Sequence, residues 1–461
     1  MQDGGQYVQS LCLEGAVSEA TLFELPARQE GAPAPRTRPE EARVLRPVRQ
    51  QLQWVAVDLE EAVAQDHAAR AIWGLLEKLD LSAFYGPIKA VVDRPGRPTT
   101  DPQVLLALWL LATVDGVGSA RRLARLCEEH DAYRWVCGGV PINYHMLSDF
   151  RVAHQSALDE LLTQIVASLM AAGAVTLERV AQDGMRVRAS AGASSFRRQG
   201  GLKAYLKEAR AQMERLACER EHPDPGVSKR QQSARERAAR ERVERVNKAL
   251  EYLPQVKAAK DRQQQTLAKR KRDKVTAPRA SSTDPQVRVM KMPDGGYRPA
   301  YNVELATDGA SGVIVGVDVV NTGDAGQAAP MEAQVAQRTG HHPKAYLMDG
   351  AFASRADITT LEERGVSVYA PVRLPRNKPE EQRYQPAYED GPAVVRWRQR
   401  MATQEAQAVY KERGATAEWA NAQVRQHGVS RFTVRGLPKA TAVMLLVVVA
   451  HNLMRWIALT T

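Results

Sequence analysis

Hydrophobic positions in this chain follow two different periods, and the change from one to the other divides it. From residue 66 to about residue 173 they recur at helical spacing. Asp101-Pro102 is a helix start, an N-cap acid followed by proline, and Leu105, Leu106, Trp109 and Leu110 then make an apolar face. Asp115-Gly-Val-Gly ends that helix. Ser119 caps a second, carrying Leu123, Leu126 and Cys127, and a third covers about 147–172, with Phe150, Leu158, Leu161, Leu162 and Ile165 along one side. Two helices joined by a short glycine-containing turn fit a DNA-reading helix-turn-helix, and equally a bundle whose turn merely reverses the chain.

After residue 280 the period shortens to two. Tyr301-Asn-Val-Glu-Leu-Ala-Thr alternates, Asp308-Gly-Ala-Ser-Gly reads as a turn, and Val313-Ile-Val-Gly-Val-Asp-Val-Val as the returning strand. A helix over about 326–338, a buried strand over 345–348, a helix over 356–364 and a strand from 366 follow. Helices at about 394–413 and 417–426 and an apolar stretch over 440–459 close the chain, after a polar loop at 371–392. Upstream, the apolar-rich run from Val175 ends at Asp183. Strands followed by strand–helix alternation indicate an α/β sheet flanked by helices, not a sandwich or barrel.

Charge changes this picture in one place. The formal net charge is +11, and residues 229–274 hold 16 Lys and Arg against 6 Asp and Glu, a difference of +10. Strong helix formers with mixed charges at one-turn spacing predict a helical arm, interrupted by Pro254 and followed by Lys269-Arg-Lys-Arg. A solvated, salt-bridged helix explains part of such a run. The surplus charge favours an arm lying along DNA, with salt-dependent binding. Four cysteines without metal-ligand spacing argue against a zinc site and a disulfide scaffold. Neither a signal peptide at the start nor an apolar run near the about 20 residues needed to span a bilayer is found, so a cytoplasmic chain with no membrane partner is expected. The domains read as a disordered tail over 1–54, helices over 55–173, an α/β part from 174–195 and 281–461, and the basic arm over 196–280.

Three carboxylates carry the candidate chemistry. Asp183 and Asp349 each end an apolar run and precede glycine, where Asp is also a common turn former. Glu418 follows Tyr410-x-x-Arg413, and Arg425 lies seven residues on. Hard divalent cations take such oxygen ligands, and two ions about 3.5–4 Å apart clamp both oxygens of an in-line phosphoryl displacement. Asp318, Asp324 and Asp357 compete for the same role, Asp324 alternatively as a supporting group or helix cap.

Read in order, these segments resemble the DDE transposases of bacterial insertion sequences, in the large group with a helical N-terminal domain. The resemblance runs from about residue 55 to 456. It rests on Asp183-Gly-Met-Arg-Val-Arg-Ala-Ser with Ser194-Ser-Phe-Arg-Arg, on Ser282-Thr-Asp-Pro, Tyr301-Asn-Val and Asp349-Gly-Ala-Phe, and on Trp397-Arg-Gln-Arg-Met. Tyr410-x-x-Arg413-x4-Glu418, Arg431-Phe-Thr-Val-Arg-Gly-Leu and His451-Asn-Leu-Met-Arg complete it. It implies a ribonuclease-H-like core whose triad Asp183, Asp349 and Glu418 binds Mg²⁺ or Mn²⁺, two ions in all. One ion would activate water and then the freed 3′-hydroxyl, the other the leaving 3′-oxygen. Tyr410, Arg413 and Arg425 would hold the flanking phosphates.

The partner implied is double-stranded DNA, the terminal inverted repeats and a target, held by a homodimer or larger assembly near the bacterial nucleoid. Arg121, Arg122 and Arg125 are placed to touch phosphates, as are Arg197, Arg198, Arg235, Arg242, Lys269, Arg270, Lys271 and Arg272 on the arm. Met185, Phe352 and Arg425 stand where the family usually has a small hydroxyl residue, tyrosine and lysine. Two alternatives follow: a DNA-binding relic without chemistry, and a nuclease of the same core that does not join strands.

Overall fold

The helical first half is built around one buried helix. A computed structural model describes residues 56–90, 98–221, 226–266, 277–374 and 379–460, and Lys269, Arg270, Lys271, Arg272 and nearly all of the expected N-terminal tail lie outside them. Helices α1 (Ala68–Leu76) and α2 (Ser82–Tyr85) precede α3 (Pro102–Val114), which is buried at every position from Val104 to Thr113. Asp101 caps α3 by accepting from Gln103 N, and Pro102 sits where a missing N–H costs nothing. Helix α4 (Ala120–Glu129) starts on Ser119, whose side chain accepts from Arg122 N. Helix α5 (Asp131–Cys137) follows, and α4 packs on α5 and on α6 (Tyr144–Ala153). The single helix expected over 147–172 is in fact two, α6 and α7 (Gln155–Ala171). His154 leaves helical geometry between them, its ring lying 4.6 Å from Phe150 and 5.4 Å from Phe84, centroid to centroid.

The sheet begins with β1 (Arg179–Arg188). Just before it Leu177 takes a left-handed φ of 56°, a cost of about 1–2 kcal/mol for a residue with a side chain. Burial of Leu177 and a 3.1 Å bond from its N–H to Asp308 Oδ1 offset that cost. The short pair β2 (Phe196–Arg197) and β3 (Ala280–Ser281) then clamps the base of a helical hairpin, α8 (Gln199–Glu221) against α9 (Lys229–Thr266). Leu202, Val246, Ala249 and Leu253 form its seam. Pro254 does not interrupt α9, contrary to expectation. It removes one hydrogen bond and crowds the preceding turn, at roughly 3 kcal/mol. Buried Leu253 and Val256 on either side hold the helix through it.

Strands β4 (Arg288–Lys291), β5 (Tyr297–Asp308) and β6 (Ile314–Val320) are antiparallel, β4 and β6 pairing one after the other along the same edge of β5. The other edge of β5 pairs antiparallel with β1. After α10 (Ala328–Thr339) the direction changes: β7 (Ala345–Met348) lies parallel to β1, and beyond α11 (Arg355–Glu363) β8 (Ser367–Tyr369) lies parallel to β7. The result is a mixed six-stranded sheet with β1 at its centre. Helices α12 (Pro392–Met401) and α13 (Gln404–Arg413) replace the one helix expected there, because Thr403 caps α13 by accepting from Ala406 N. A π-helical turn, Gly414–Glu418, leads into α14 (Trp419–Gln426), and α15 (Leu437–Thr460) ends the described chain.

One hydrophobic core runs from Val63 to Leu453 and takes in both the helical half and the sheet. Helix α15 is long and apolar enough to cross a bilayer by composition, but its middle packs on α7, α3, α6 and β6. Asn452 on α15 covers the edge of β6, accepting from Ile314 N at 2.9 Å and donating to Ile314 O at 2.8 Å. Arg338 on α10 ties the sheet to α7 through Asp159 Oδ1 at 2.7 Å and Thr163.

Candidate active site

Asp183 sits mid-strand, not at a strand end as the apolar run before it suggested. Strand β1 continues to Arg188 because β5 pairs with it that far, whereas β7 stops at the pair Gln182↔Met348. The next residues in that register are Asp183 and Asp349. Parallel neighbours lie about 4.8 Å apart and point to the same side of the sheet; Asp349 lies one residue past the end of β7, and its charge reaches Asp183, whose pKa it raises. The side is fixed by packing: Ala181, Ala345 and Leu347, in step with them, meet Ala417 and Val409 of the helices that cross this face. Burial raises the Asp183 pKa, countered by Arg413 and by the Gly184 N–H, and raised further by the charges of Asp349 and Asp324. A group in this position is stabilised as an anion by a cation placed beside it.

The crossing helices bring a line of polar groups to the same place. Asn421 is 7% exposed and donates from Nδ2 to Asp183 Oδ2 at 2.9 Å. Arg413 Nη1 lies 3.6 Å from Asp183 Oδ1, and its guanidinium carbon stands 6.0 Å from the centre of the Tyr410 ring. The π turn sets this alignment. In an α-helix, Arg413 and Glu418 would be about 140° apart around the axis; i to i+5 bonding brings residues five apart back near one face. From Glu418 onward, Asn421 and Arg425 follow at one and two helical turns on that stripe. Glu418 and Arg425 are exposed. Among the described residues no three Asp, Glu, His or Cys side chains close around a common point, so Glu418 shares the helix face without closing onto the aspartates.

Behind Asp183, on the opposite side of β1, is a buried polar network. Arg186 donates to Asp324 through both terminal nitrogens, at 2.8 and 2.9 Å, and to Asn302 Oδ1 at 2.6 Å. Asn302 and Gln182 donate to the two oxygens of Glu304, which is fully buried, and Tyr346 donates to Gln182 at 2.8 Å. Burial, followed by the Asp324 charge, pushes the Glu304 pKa up to about 8. Gly184 makes room for this: a Cβ there would stand 2.6 Å from Asp324 Oδ1. Asp324 is therefore a supporting group. Asp357 instead accepts from Gly326 N and Ala329 N at the start of α10, and Asp318 from Val319 N.

The remaining sequence candidates are spread over the molecule. Arg121, Arg122 and Arg125 are exposed along α4, with Arg121 over the Tyr144 ring at 5.1 Å. Because α3 is buried throughout, the α3–α4 pair is part of a bundle that leaves these arginines outside. Arg198 and Arg235 are exposed on the hairpin, Arg197 stacks on Tyr205 at 4.7 Å, and Arg242 donates across the hairpin to Gln212. Other motif residues meet around buried Asp284, which accepts from Tyr301 Oη at 2.8 Å and from Gly436 N at 3.1 Å. Phe432 beside them is bonded to the end of β1 through Arg188 O. Sequence reasoning missed Asn421, Arg186, Asn302 and Glu304. Arg186 and Asn302 lay inside the motifs Asp183-Gly-Met-Arg and Tyr301-Asn-Val, and Asn421 had its spacing of three from Glu418.

Two family models match the chain: the transposase domain DUF772 over residues 57–153, and the transposase DDE domain over residues 273–453. The second contains Asp349 and Glu418, while Asp183 and the hairpin lie between the two matches. A DDE domain implies a ribonuclease-H-like core, here the mixed sheet centred on β1. No curated protein and no solved structure matches.

Proposed function

Since the chain belongs to the DDE transposases of an insertion-sequence family, we propose that it cuts DNA at the ends of its element and joins those ends to a target through the Asp183–Asp349 site. The family generally uses divalent metal ions, and its partner is DNA. The residues here fit such an ion: two carboxylates, Asp183 on β1 and Asp349 one residue past the end of β7, and an amide oxygen, Asn421 Oδ1, that is buried without a partner. The parallel register of β1 and β7, whose last pair Gln182↔Met348 immediately precedes both aspartates, is the observation that carries the reading. Asp183 and Asp349 hold Mg²⁺ or Mn²⁺, with Glu418 brought in from the neighbouring helix face. A bound divalent cation activates the attacking hydroxyl and stabilises the leaving oxygen.

The chain's own groups supply position and charge. Arg413 is only 3.6 Å from Asp183 in the free protein, and Arg413 Nη1 makes no hydrogen bond there. A phosphate entering the site takes up that unused donor, and Arg425 offers a second fork two turns on. Tyr410, half-buried beside Arg413, adds one hydroxyl and limits how the guanidinium can turn. Arg121, Arg122, Arg125 and the hairpin hold the duplex further out as part of a dimeric or larger complex. Met185 and Phe352 are both 1% exposed in the core, where an apolar side chain needs no hydrogen-bond partner, so they give the relic reading no support.

The experiment is product analysis with DNA carrying the element's inverted repeats. With Mg²⁺ the wild-type chain yields both nicked ends and strands joined to a target. Nicks without joined strands would reduce the activity to that of a nuclease, and binding without either product would return it to a relic.

A further inference from the structure

Around the Asp183 carboxylate two buried atoms are left over, a donor and an acceptor that do not satisfy each other. Arg413 Nη1 has no hydrogen-bond partner, and neither has Asn421 Oδ1. Buried polar atoms are nearly always paired, and an unpaired one calls for a reason, such as a catalytic role or an ion or water that completes it. Asn421 is otherwise well fixed, since its Nδ2 holds Asp183 Oδ2 at 2.9 Å and the residue sits in the first turn of α14 against the sheet. Its amide therefore faces two ways, one end bonded to the carboxylate and the other unused.

From this we propose that Asn421 is a positioning residue of the cation site: Nδ2 orients Asp183, and Oδ1 accepts a hydrogen bond from water on the bound cation. The inference rests on the reading of Asp183 and Asp349 as cation ligands and adds a member to that site. An amide suits the task better than a carboxylate would. It donates to Asp183 without adding a third negative charge beside two others, so the pair keeps its orientation before the cation arrives. It also joins Glu418 and Arg425 mechanically to Asp183, because all three lie on one helix stripe. Groups that orient metal ligands in this way typically contribute about 10- to 100-fold in metal affinity.

The test is titration of the full-length chain with manganese(II) chloride, following the paramagnetic signal of the free ion, together with thermal melts with and without the ion. Asp349→Asn is expected to lose binding. Asn421→Ala is expected to bind about tenfold or more weakly than wild type, and to gain correspondingly less thermal stability from manganese. Asn421→Ser, which refills part of the volume, guards against a folding failure and is expected to weaken binding as well. If Asn421→Ala and Asn421→Ser bind as wild type does while Asp349→Asn does not, Asn421 has no part in the site and the carboxylate reading stands. If both variants lose melting temperature equally with and without manganese, the residue is merely structural and the inference fails. Wild-type protein that takes up no manganese would overturn the carboxylate reading, and this inference with it.

Discussion

Asp183 is held in place by what its neighbour lacks. Gly184 points to the far side of β1, and the space of its absent side chain is filled by the Arg186–Asp324 fork. The sequence displays Asp-Gly beside an apolar run, which fits a turn as well as a strand; only the fork, whose two members are 138 positions apart in sequence, explains the glycine. Glu304 in the same network gives a pH test. Its folded pKa of about 8 lies above the ordinary 4.5, so the folded chain holds that proton more tightly than the unfolded chain does. The resulting stability is fully present below about 4.5 and is lost as pH rises towards about 8. Glu304→Gln, neutral at every pH, should therefore gain on wild type across that window in denaturant titrations. Parallel curves for the two proteins would mean that Glu304 is ionised throughout.

Among elements, the π turn decides which side chains face the sheet. Tyr410-x-x-Arg413-x4-Glu418 is legible as a motif, but a separation of five positions places Arg413 and Glu418 on different faces of an ordinary α-helix. Inserting one alanine after Ala415 should rotate Glu418, Asn421 and Arg425 by about 100° away from β1. Far-ultraviolet circular dichroism should stay unchanged while DNA cleavage is lost. Retained cleavage would show that the turn does not set the alignment. Other elements are legible to different degrees for physical reasons. Strand β7 is readable to the residue because it is buried on both faces; the end of β1 is not, since its length depends on how far β5 pairs with it. The breaks at His154 and Thr403 escape a sequence reading because both fall inside continuous helical periodicity.

At the scale of the whole molecule, charge and core are separated. The core runs through the helical half and the sheet, whereas the hairpin has a small seam of its own and is joined at β2–β3. Composition alone locates that arm; its antiparallel pairing and the passage of α9 through Pro254 depend on packing that composition does not encode. Replacing residues 198–279 by a short glycine–serine link should leave the melting temperature of the core nearly unchanged. It should weaken DNA binding and flatten its salt dependence, by about 0.9 in logarithmic slope for each phosphate that the arm no longer neutralises. An unaltered slope would assign the hairpin another role.

In the proposed site Asp349, beside Asp183, touches a divalent cation during DNA cleavage. The most direct test of that contact is Asp349→Cys, assayed for cleavage with Mg²⁺ and with the softer Mn²⁺. A thiolate ligand suits Mg²⁺ poorly and Mn²⁺ better, so no cleavage is expected with Mg²⁺ and recovery is expected with Mn²⁺. Wild-type cleavage by the cysteine variant with Mg²⁺ would contradict it.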